Sequence, residues 1–309
     1  MVGITIGDPK SISPEVVLKS IKSLGESFFD KVLLIGSYNV FSFWNDFYNF
    51  SLPLSLYGST KGIQVFDIGY DKDFEDIDDF DCAKISISSI DLSIKLIKEK
   101  VVNSIVTGPV SKYRISKVIP DFVGHTGYYA RAFGIENYNM AFYSDDLKIV
   151  LLTDHIPLKK VFEYLSEERL FTTINNAIGW IRSFKRSEPI IGICGLNPHA
   201  GEEGNIGNEE NLIKRVISKF NNQVIGPLPP DTAFIEYKKR GLDCLVCLYH
   251  DQGLIGFKLM HFDDGVNVTI GLPFVRCSPD HGTAFDIVGK GIANYKSMLN
   301  SIKYALMFE

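Results

Sequence analysis

Several classes of protein are excluded by what the chain lacks. No stretch approaches the ~20 consecutive apolar residues that a membrane-spanning helix needs. Lys and Arg number 32 against 37 Asp and Glu, for a net charge of -5, and they never gather beyond pairs and triplets. A nucleic-acid partner would want a basic stripe that is not there. Cysteine is sparse and odd in number: Cys82, Cys194, Cys244, Cys247 and Cys277 sit mostly inside apolar runs, as small hydrophobes in a reducing cytoplasm do. The CxxC of Cys244 and Cys247 has no second pair to complete a zinc site. Met1 leads directly into the apolar run of residues 2–6, without the charged start and cleavage signal of a secretory leader, so none is expected. The dinucleotide motif GxGxxG is absent. Gly201, Gly204 and Gly207 in GEEGNIGNEE support no more than a flexible loop.

What is present has the profile of an ordinary globular protein, with 45% hydrophobic and 22% charged residues, 26 Gly and 13 Pro. A compact chain of 309 residues buries roughly three quarters of its unfolded surface, which points to one two-lobed domain or two closely joined ones. Apolar runs at 2–6, 32–35, 104–107, 149–153, 190–194 and 242–248 read as strands. Amphipathic stretches at 14–24, 88–101, 166–184, 208–220 and 231–240 read as helices, several opening on Ser, Pro, Asn or Asp. That alternation means an α/β fold with a largely parallel sheet. The Asp-rich segment 70–81 reads as a solvated surface loop.

Three of the six histidines follow an apolar strand within a few residues: His155 after IVLLTD, His199 after IIGICGLNP and His250 after LVCLY. The carboxyl ends of parallel strands line the ligand crevice of an open α/β sheet, so these imidazoles are placed to converge. Each could simply close a loop. Three in one structural position, beside Asp154, Asn197 and Asp251, favour a divalent-metal site with an open coordination position. The segment GHTGYYA sets His125 and Thr126 at a helix start, where free N–H groups suit an anion. Lys258, Asn267 and Arg276 follow at short intervals and could grip a phosphate or carboxylate, with solvated surface charge as the alternative.

In order and spacing, the segments ITIGDP, TGPVSK, FVGHTG, GLNPHAGEEG, GPLPPDTAF, YHDQGLIGFK, GVNVTIGLPFVR and SPDHGTAFDIVGKGIAN resemble the family of 4-hydroxythreonine-4-phosphate dehydrogenases of vitamin B6 synthesis. The resemblance runs from about Ile4 to Asn294. Its last segment is also similar to the adenosine-binding loop of isocitrate and isopropylmalate dehydrogenases. The resemblance implies their fold, two α/β/α lobes around a central cleft. Residues 1–115 with 276–309 would form the cofactor lobe, and residues 116–275 the lobe of metal ligands and dimer interface. His155, His199 and His250 match the family's ligands for one divalent ion (Zn, Mg, Co, Ni or Mn), in a site shared between the subunits of a homodimer. His125, Thr126, Lys258, Asn267 and Arg276 match substrate-binding positions. Asp231 and Asp251 match acidic residues near the reaction centre, where Lys258 or a neighbouring Asp would take the hydroxyl proton. His281, Gly282, Thr283, Ala284, Asp286 and Asn294 match the loop for the adenosine of NAD or NADP, and the absence of a basic cluster there favours NAD.

The implied activity is metal-assisted oxidation of 4-phosphooxy-L-threonine to a 2-amino-3-oxo acid, which decarboxylates to 3-amino-2-oxopropyl phosphate during pyridoxal phosphate synthesis. Paralogue branches of the family act on 4-phospho-threonate or erythronate, or on dihydrodiols. A metal-dependent hydrolase or a sugar-phosphate binding protein on the same fold is the reading from another class, and the complete adenosine-loop segment argues against it. Three departures touch the crevice. Ser11 and Ser13 stand where the family has glycine, Gly127 follows GHT in place of an acidic residue, and Asp154 precedes His155 where Thr is usual. Serine for glycine would alter the first loop if the backbone there required positive φ.

Overall fold

The computed structural model describes residues 1–59, 61–185 and 187–309. They form two compact units, residues 1–134 with 272–309, and residues 135–271. The first boundary lies later than the expected 115, because Ile115, Phe122 and Tyr129 are buried in the same core as Leu33, Ile90 and Ile105. Before this boundary come five strands and the first four of five helices: β1 (Val2–Thr5), α1 (Ser13–Leu24), β2 (Val32–Gly36), α2 (Tyr38–Phe47), β3 (Leu54–Leu56), β4 (Ile63–Asp67), α3 (Asp79–Lys98), β5 (Ser104–Thr107) and α4 (Lys112–Ser116). A fifth helix, α5 (His125–Ala132), closes the segment. The second unit contains β6 (Asn139–Tyr143), β7 (Lys148–Leu151), α6 (Val161–Tyr164), α7 (Glu167–Arg182), β8 (Ile191–Cys194), α8 (Glu210–Ile217), β9 (Val224–Leu228), α9 (Ala233–Arg240), β10 (Cys244–Cys247), α10 (His250–His261) and β11 (Val266–Ile270). The chain then completes the first unit with β12 (Val275–Pro279) and α11 (Lys296–Leu306).

Within the first unit the strands run β3-β4-β2-β1-β5-β12, every pair parallel. Within the second the order is β11-β6-β7-β10-β8-β9, with β6 antiparallel to both neighbours and the rest parallel. β1, β2, β5 and β10 are buried at every position, as parallel strands covered on both faces must be. Their largely apolar character in the sequence has that cause. No helix among the described residues is long and apolar enough to cross a membrane.

Helix ends follow local chemistry. Pro14 lies in the first turn of α1, where its missing N–H costs nothing. Asp78 accepts from the N–H groups of Phe80 and Asp81, and the Asp81 carboxylate accepts from Asp78 N at 3.0 Å, a reciprocal cap that starts α3. The end of segment 70–81 is therefore ordered: Asp81 is buried and paired with Lys72 at 2.8 Å. α9 stops at Gly241, whose φ of 62° is left-handed, after the cations Lys238, Lys239 and Arg240. All five cysteines are free and buried. Burial pushes the Cys277 thiol up to about 12.

Candidate functional site

The three strand-end histidines leave one edge of the second unit's sheet, because β7, β10 and β8 are consecutive parallel neighbours there. Side chains tie these ends together. Thr153 Oγ1 donates to the Leu248 carbonyl at 2.7 Å, and the Gln252 amide accepts from Leu248 N (2.7 Å) while donating to the Gly195 carbonyl (2.8 Å). The His155 and His250 rings lie 5.4 Å apart between centroids, tilted by 43°. Two imidazoles bound to one tetrahedral ion at about 2.0–2.1 Å per bond would have centroids roughly 5–6 Å apart. His250 Nδ1 is 2.6 Å from Asp251 Oδ1. Such a carboxylate fixes the tautomer and leaves Nε2 free to ligate.

His199 does not join the pair. It opens a turn in which His199, Ala200, Gly201, Glu202 and Glu203 have φ of 51°, 52°, 78°, 43° and 56°. Left-handed backbone costs about 1–2 kcal/mol for each residue with a side chain, so the turn needs a brace. Glu210 supplies it. One carboxylate oxygen accepts from Leu196 N (3.0 Å) and Asn197 N (2.8 Å), and the other from Asn197 Nδ2 (3.0 Å). A Cβ on Gly201 would come within 2.5 Å of that second oxygen. The His199 ring is exposed, with Nδ1 3.8 Å from Glu202. Among the described residues no three His, Cys, Asp or Glu side chains come close enough to hold a metal ion. Within one chain the expected convergence is thus of two imidazoles, not three, while the donor chemistry and the spacing of the pair suit a divalent ion.

A second polar centre lies in the first unit, at the carboxyl ends of β5 and β12. A pocket of about 160 Å³ is lined there by Thr107, Gly108, Lys112, His125, Ser278 and His281, among others. α5 begins at His125 after Gly124, whose φ of 127° turns the chain into the helix and leaves its first N–H groups available. Arg276 sits mid-strand in β12, 3% exposed, donating to Thr107 Oγ1 and to Thr126 Oγ1 (3.5 Å). The Nε2 atoms of His125 and His281 are buried with no hydrogen-bond partner among the described residues. Burial, then the charges of Arg276 and Lys112, hold His125 well below 6.5, and burial also lowers His281. At neutral pH the pocket therefore presents Lys112 and two uncharged imidazoles, with the Arg276 guanidinium bonded to Thr107 of its wall. Unsatisfied buried nitrogens are costly, and a ligand with anionic and hydroxyl oxygens would relieve them.

The expected sites are thus redistributed. His125, Thr126 and Arg276 come together. Lys258 on α10 and Asn267 on β11 belong to the second unit, as do the exposed Asp231 and Asp251, while Arg276 belongs to the first. Asn267 Oδ1 is buried without a partner among the described residues. His281, expected with the adenosine loop, lines the pocket that also holds His125.

Beyond it, Thr283 accepts from Ile12 N at 3.1 Å, Ala284 takes a φ of 40°, and the Arg114 guanidinium lies 4.6 Å over the Phe285 ring. Asp286 is exposed, and Asn294 Oδ1 accepts from Lys296 N (3.0 Å) at the start of α11. Ser11 and Ser13 do not disturb the first loop, since neither has positive φ. Ser11 Oγ donates to the Asp8 carbonyl and accepts from Ser13 N, while Ser13 Oγ donates to the Ile6 carbonyl at 2.6 Å. The position that needs glycine is Gly7, at φ 72°, where a Cβ would lie 2.3 Å from Ser13 Oγ. Sequence reasoning assigned no role to Thr107, Lys112 or Glu210, although the first two stand in TGPVSK and the third follows GLNPHAGEEG.

The profile of the family described as pyridoxal phosphate biosynthetic protein PdxA matches residues 44–305. A 4-hydroxythreonine-4-phosphate dehydrogenase from Aquifex aeolicus is 36% identical, with 98% of this chain and 96% of that protein covered. A relative from Oceanobacillus iheyensis that carries the assignment D-threonate 4-phosphate dehydrogenase is 31% identical, over 99% of this chain and 97% of that protein. The crystal structure of 4-hydroxythreonine-4-phosphate dehydrogenase from Klebsiella pneumoniae superposes with a TM-score of 0.88 at 31% identity, covering 100% of this chain and 99% of that one. Isocitrate dehydrogenase from Methylococcus capsulatus, at 14% identity and a TM-score of 0.51 over 99% of this chain and 84% of that one, shares the fold.

Proposed function

This chain belongs to the PdxA family of pyridoxal phosphate biosynthetic proteins, and on that footing we propose that it is an NAD-dependent dehydrogenase of 4-phosphooxy-L-threonine. Oxidation of the substrate's secondary alcohol yields a 2-amino-3-oxo acid, which loses carbon dioxide to give 3-amino-2-oxopropyl phosphate. NADP is the alternative cofactor. The observation that carries the reading is the 160 Å³ pocket of the first unit, where Lys112 and two imidazoles whose buried Nε2 atoms have no partner among the described residues line space for an anionic group, and the buried Arg276 guanidinium is bonded to Thr107 of its wall.

Each residue has a part. Arg276, with the first N–H groups of α5 and Thr126, grips and orients an anionic end of the substrate. His125 stays neutral at pH 7 and offers a hydrogen bond, adding no charge beside those of Lys112 and Arg276. His155, His199 and His250 would hold the divalent ion, with Asp251 fixing the His250 ring, and the site would be completed across a homodimer. When bound, that ion would supply Lewis acidity toward the substrate's oxygens, and the nicotinamide would supply a hydride acceptor. Lys258 or one of the acidic residues Asp231 and Asp251 receives the hydroxyl proton. The partner surface is the outer face of α10, where Ile255, Leu259 and Phe262 are 72%, 87% and 73% exposed at helical spacing.

The test is a turnover screen with 4-phosphooxy-threonine, 4-phospho-threonate and a cis-dihydrodiol, each with NAD or NADP and a series of divalent ions, read by nicotinamide reduction. The first substrate should win by a wide margin in kcat/KM. A clear preference for 4-phospho-threonate would move the chain to the branch of the Oceanobacillus relative, and reduction by none of them would refute the dehydrogenase reading.

A further inference from the structure

The segment from His281 to Asn294 is shaped by residues that lie outside it. Glu15, in the first turn of α1, is buried. One of its carboxylate oxygens accepts from Ala293 N (3.1 Å) and from Lys19 Nζ (2.5 Å), and the other accepts from the Tyr48 hydroxyl (2.7 Å). Tyr48 OH in turn accepts from Gly289 N at 3.1 Å. Lys19 Nζ donates onward to the carbonyl of Gly291 at 2.7 Å. Three side chains from α1 and the end of α2 thus occupy the backbone groups of residues 289, 291 and 293. Between these residues Gly289 and Gly291 take φ of 78° and 68°, and the Tyr48 ring passes 3.7 Å from where a Gly291 Cβ would be. Phe285, Asp286 and Ile292 remain exposed on the same segment.

The arrangement is closed in hydrogen-bonding terms. Tyr48 donates to one partner and accepts from another, so it functions only while protonated. Burial, and then the hydrogen bond to the Glu15 carboxylate, raise its pKa well above the usual range and keep the proton in place. The Lys19–Glu15 pair cancels its own charge, leaving the loop's recognition surface without added potential.

We propose that Glu15, Lys19 and Tyr48 are positioning residues that hold loop 281–294 in its binding conformation and thereby set the affinity for the adenosine half of the dinucleotide without touching it. The proposal rests on the reading that this loop holds the cofactor. A glycine-containing loop released from such a clamp samples more backbone conformations, and the cofactor must then reorder it at the expense of binding energy. The chemistry at the nicotinamide end is untouched, so the effect falls on dinucleotide binding and not on turnover.

The experiment uses Tyr48→Phe in the full-length enzyme, which keeps the ring and removes the hydroxyl. Loss of one hydrogen bond to a backbone N–H should raise the calorimetric Kd for NAD, and KM for NAD with it, by about three- to ten-fold. kcat at saturating NAD should stay within about two-fold, and amide exchange should accelerate across residues 285–295. Asp286→Ala serves as the direct-contact comparison, and Lys19→Met, which removes the contact to Gly291, as a second clamp variant. Weaker NAD binding in Asp286→Ala with wild-type binding in both clamp variants overturns the clamp. Unchanged binding in all three variants overturns instead the reading that the loop holds the cofactor. A drop in kcat with Kd unchanged also overturns the proposal, since a positioning role through the loop does not predict it.

Discussion

Replacing Arg276 by Lys keeps a positive charge beside the first-unit pocket but removes the planar fork. In the structure the two terminal nitrogens of Arg276 reach different hydroxyls, Thr107 Oγ1 and Thr126 Oγ1, from a side chain with 3% exposure. An ammonium on a shorter stem cannot span both. Losing one hydrogen bond from a charged, buried donor costs about 1.5–3 kcal/mol. Part of that appears as instability: at roughly 2–4 °C per kcal/mol for chains of this size, the thermal midpoint should fall by about 5 °C. If the same fork grips the substrate's anion, as proposed, the apparent KM for the phosphorylated substrate should rise ten-fold or more, equivalent to about 1.4 kcal/mol or more. The assay is steady-state kinetics with substrate varied at saturating NAD, beside competitive inhibition by inorganic phosphate. Both constants should move together. An unchanged KM and phosphate inhibition constant in a folded Arg276→Lys enzyme would refute the assignment, whatever happens to its melting point.

Three further outcomes are expected. Glu210→Gln turns one acceptor of the brace on the His199 turn into a donor facing Asn197 Nδ2, so metal affinity should fall about 10- to 100-fold in a titration of the apoprotein; wild-type affinity would show that the turn needs no brace. Leu259→Asp places a charge in the exposed apolar stripe of α10 and should convert a dimer to monomers in light scattering, with loss of activity; a stable, active dimer would mean that another surface pairs. His125 is held neutral, with a folded pKa below its ordinary 6.5, so it contributes stability that is present above about pH 6.5 and is lost as pH falls, since only the unfolded chain then gains a proton. The thermal midpoint should therefore drop as pH is lowered from about 6.5, part of that slope should vanish in His125→Gln, and identical profiles would reject the buried neutral state.

How far the sequence could be read depended on whether a feature was written in pattern or in contacts. β1, β2, β5, β8 and β10 were legible because strands covered on both faces must be apolar throughout. β12 was not, since VRCSP carries Arg276 as its second residue and nothing local says that hydroxyls from β5 and α5 will receive a buried guanidinium. α2 was missed because YNVFSFWNDF spreads aromatic residues around the helix, its rings packing on one another and on Phe74 as well as on the sheet. His250 was expected at a strand end and in fact begins α10, a helix whose apolar residues are partly turned outward and so blur its period. The histidines were found because strand ends are predictable, but their mutual geometry was not. The turn of His199 contains one glycine among five left-handed residues, and its support comes from Glu210 beyond the motif. Serine for glycine at 11 and 13 was harmless because those hydroxyls replace lost freedom with local hydrogen bonds.

The interruption of the first unit by the second bears on how the protein is made. Strand β12 pairs with β5, and α11 packs on α1, yet both come from the last segment of the chain, residues 272–309. While residues 135–271 leave the ribosome, at about 5–20 residues per second, β5 waits for roughly ten to thirty seconds with the edge that β12 will occupy unpaired. Its central residues Ile105 and Val106 are apolar, and the open edge would template wrong pairing. The second unit, continuous in sequence, can fold during that wait. Translation speed across it, and chaperones that shield open strand edges, therefore bear on yield through β5, a strand finished long before the one that completes it.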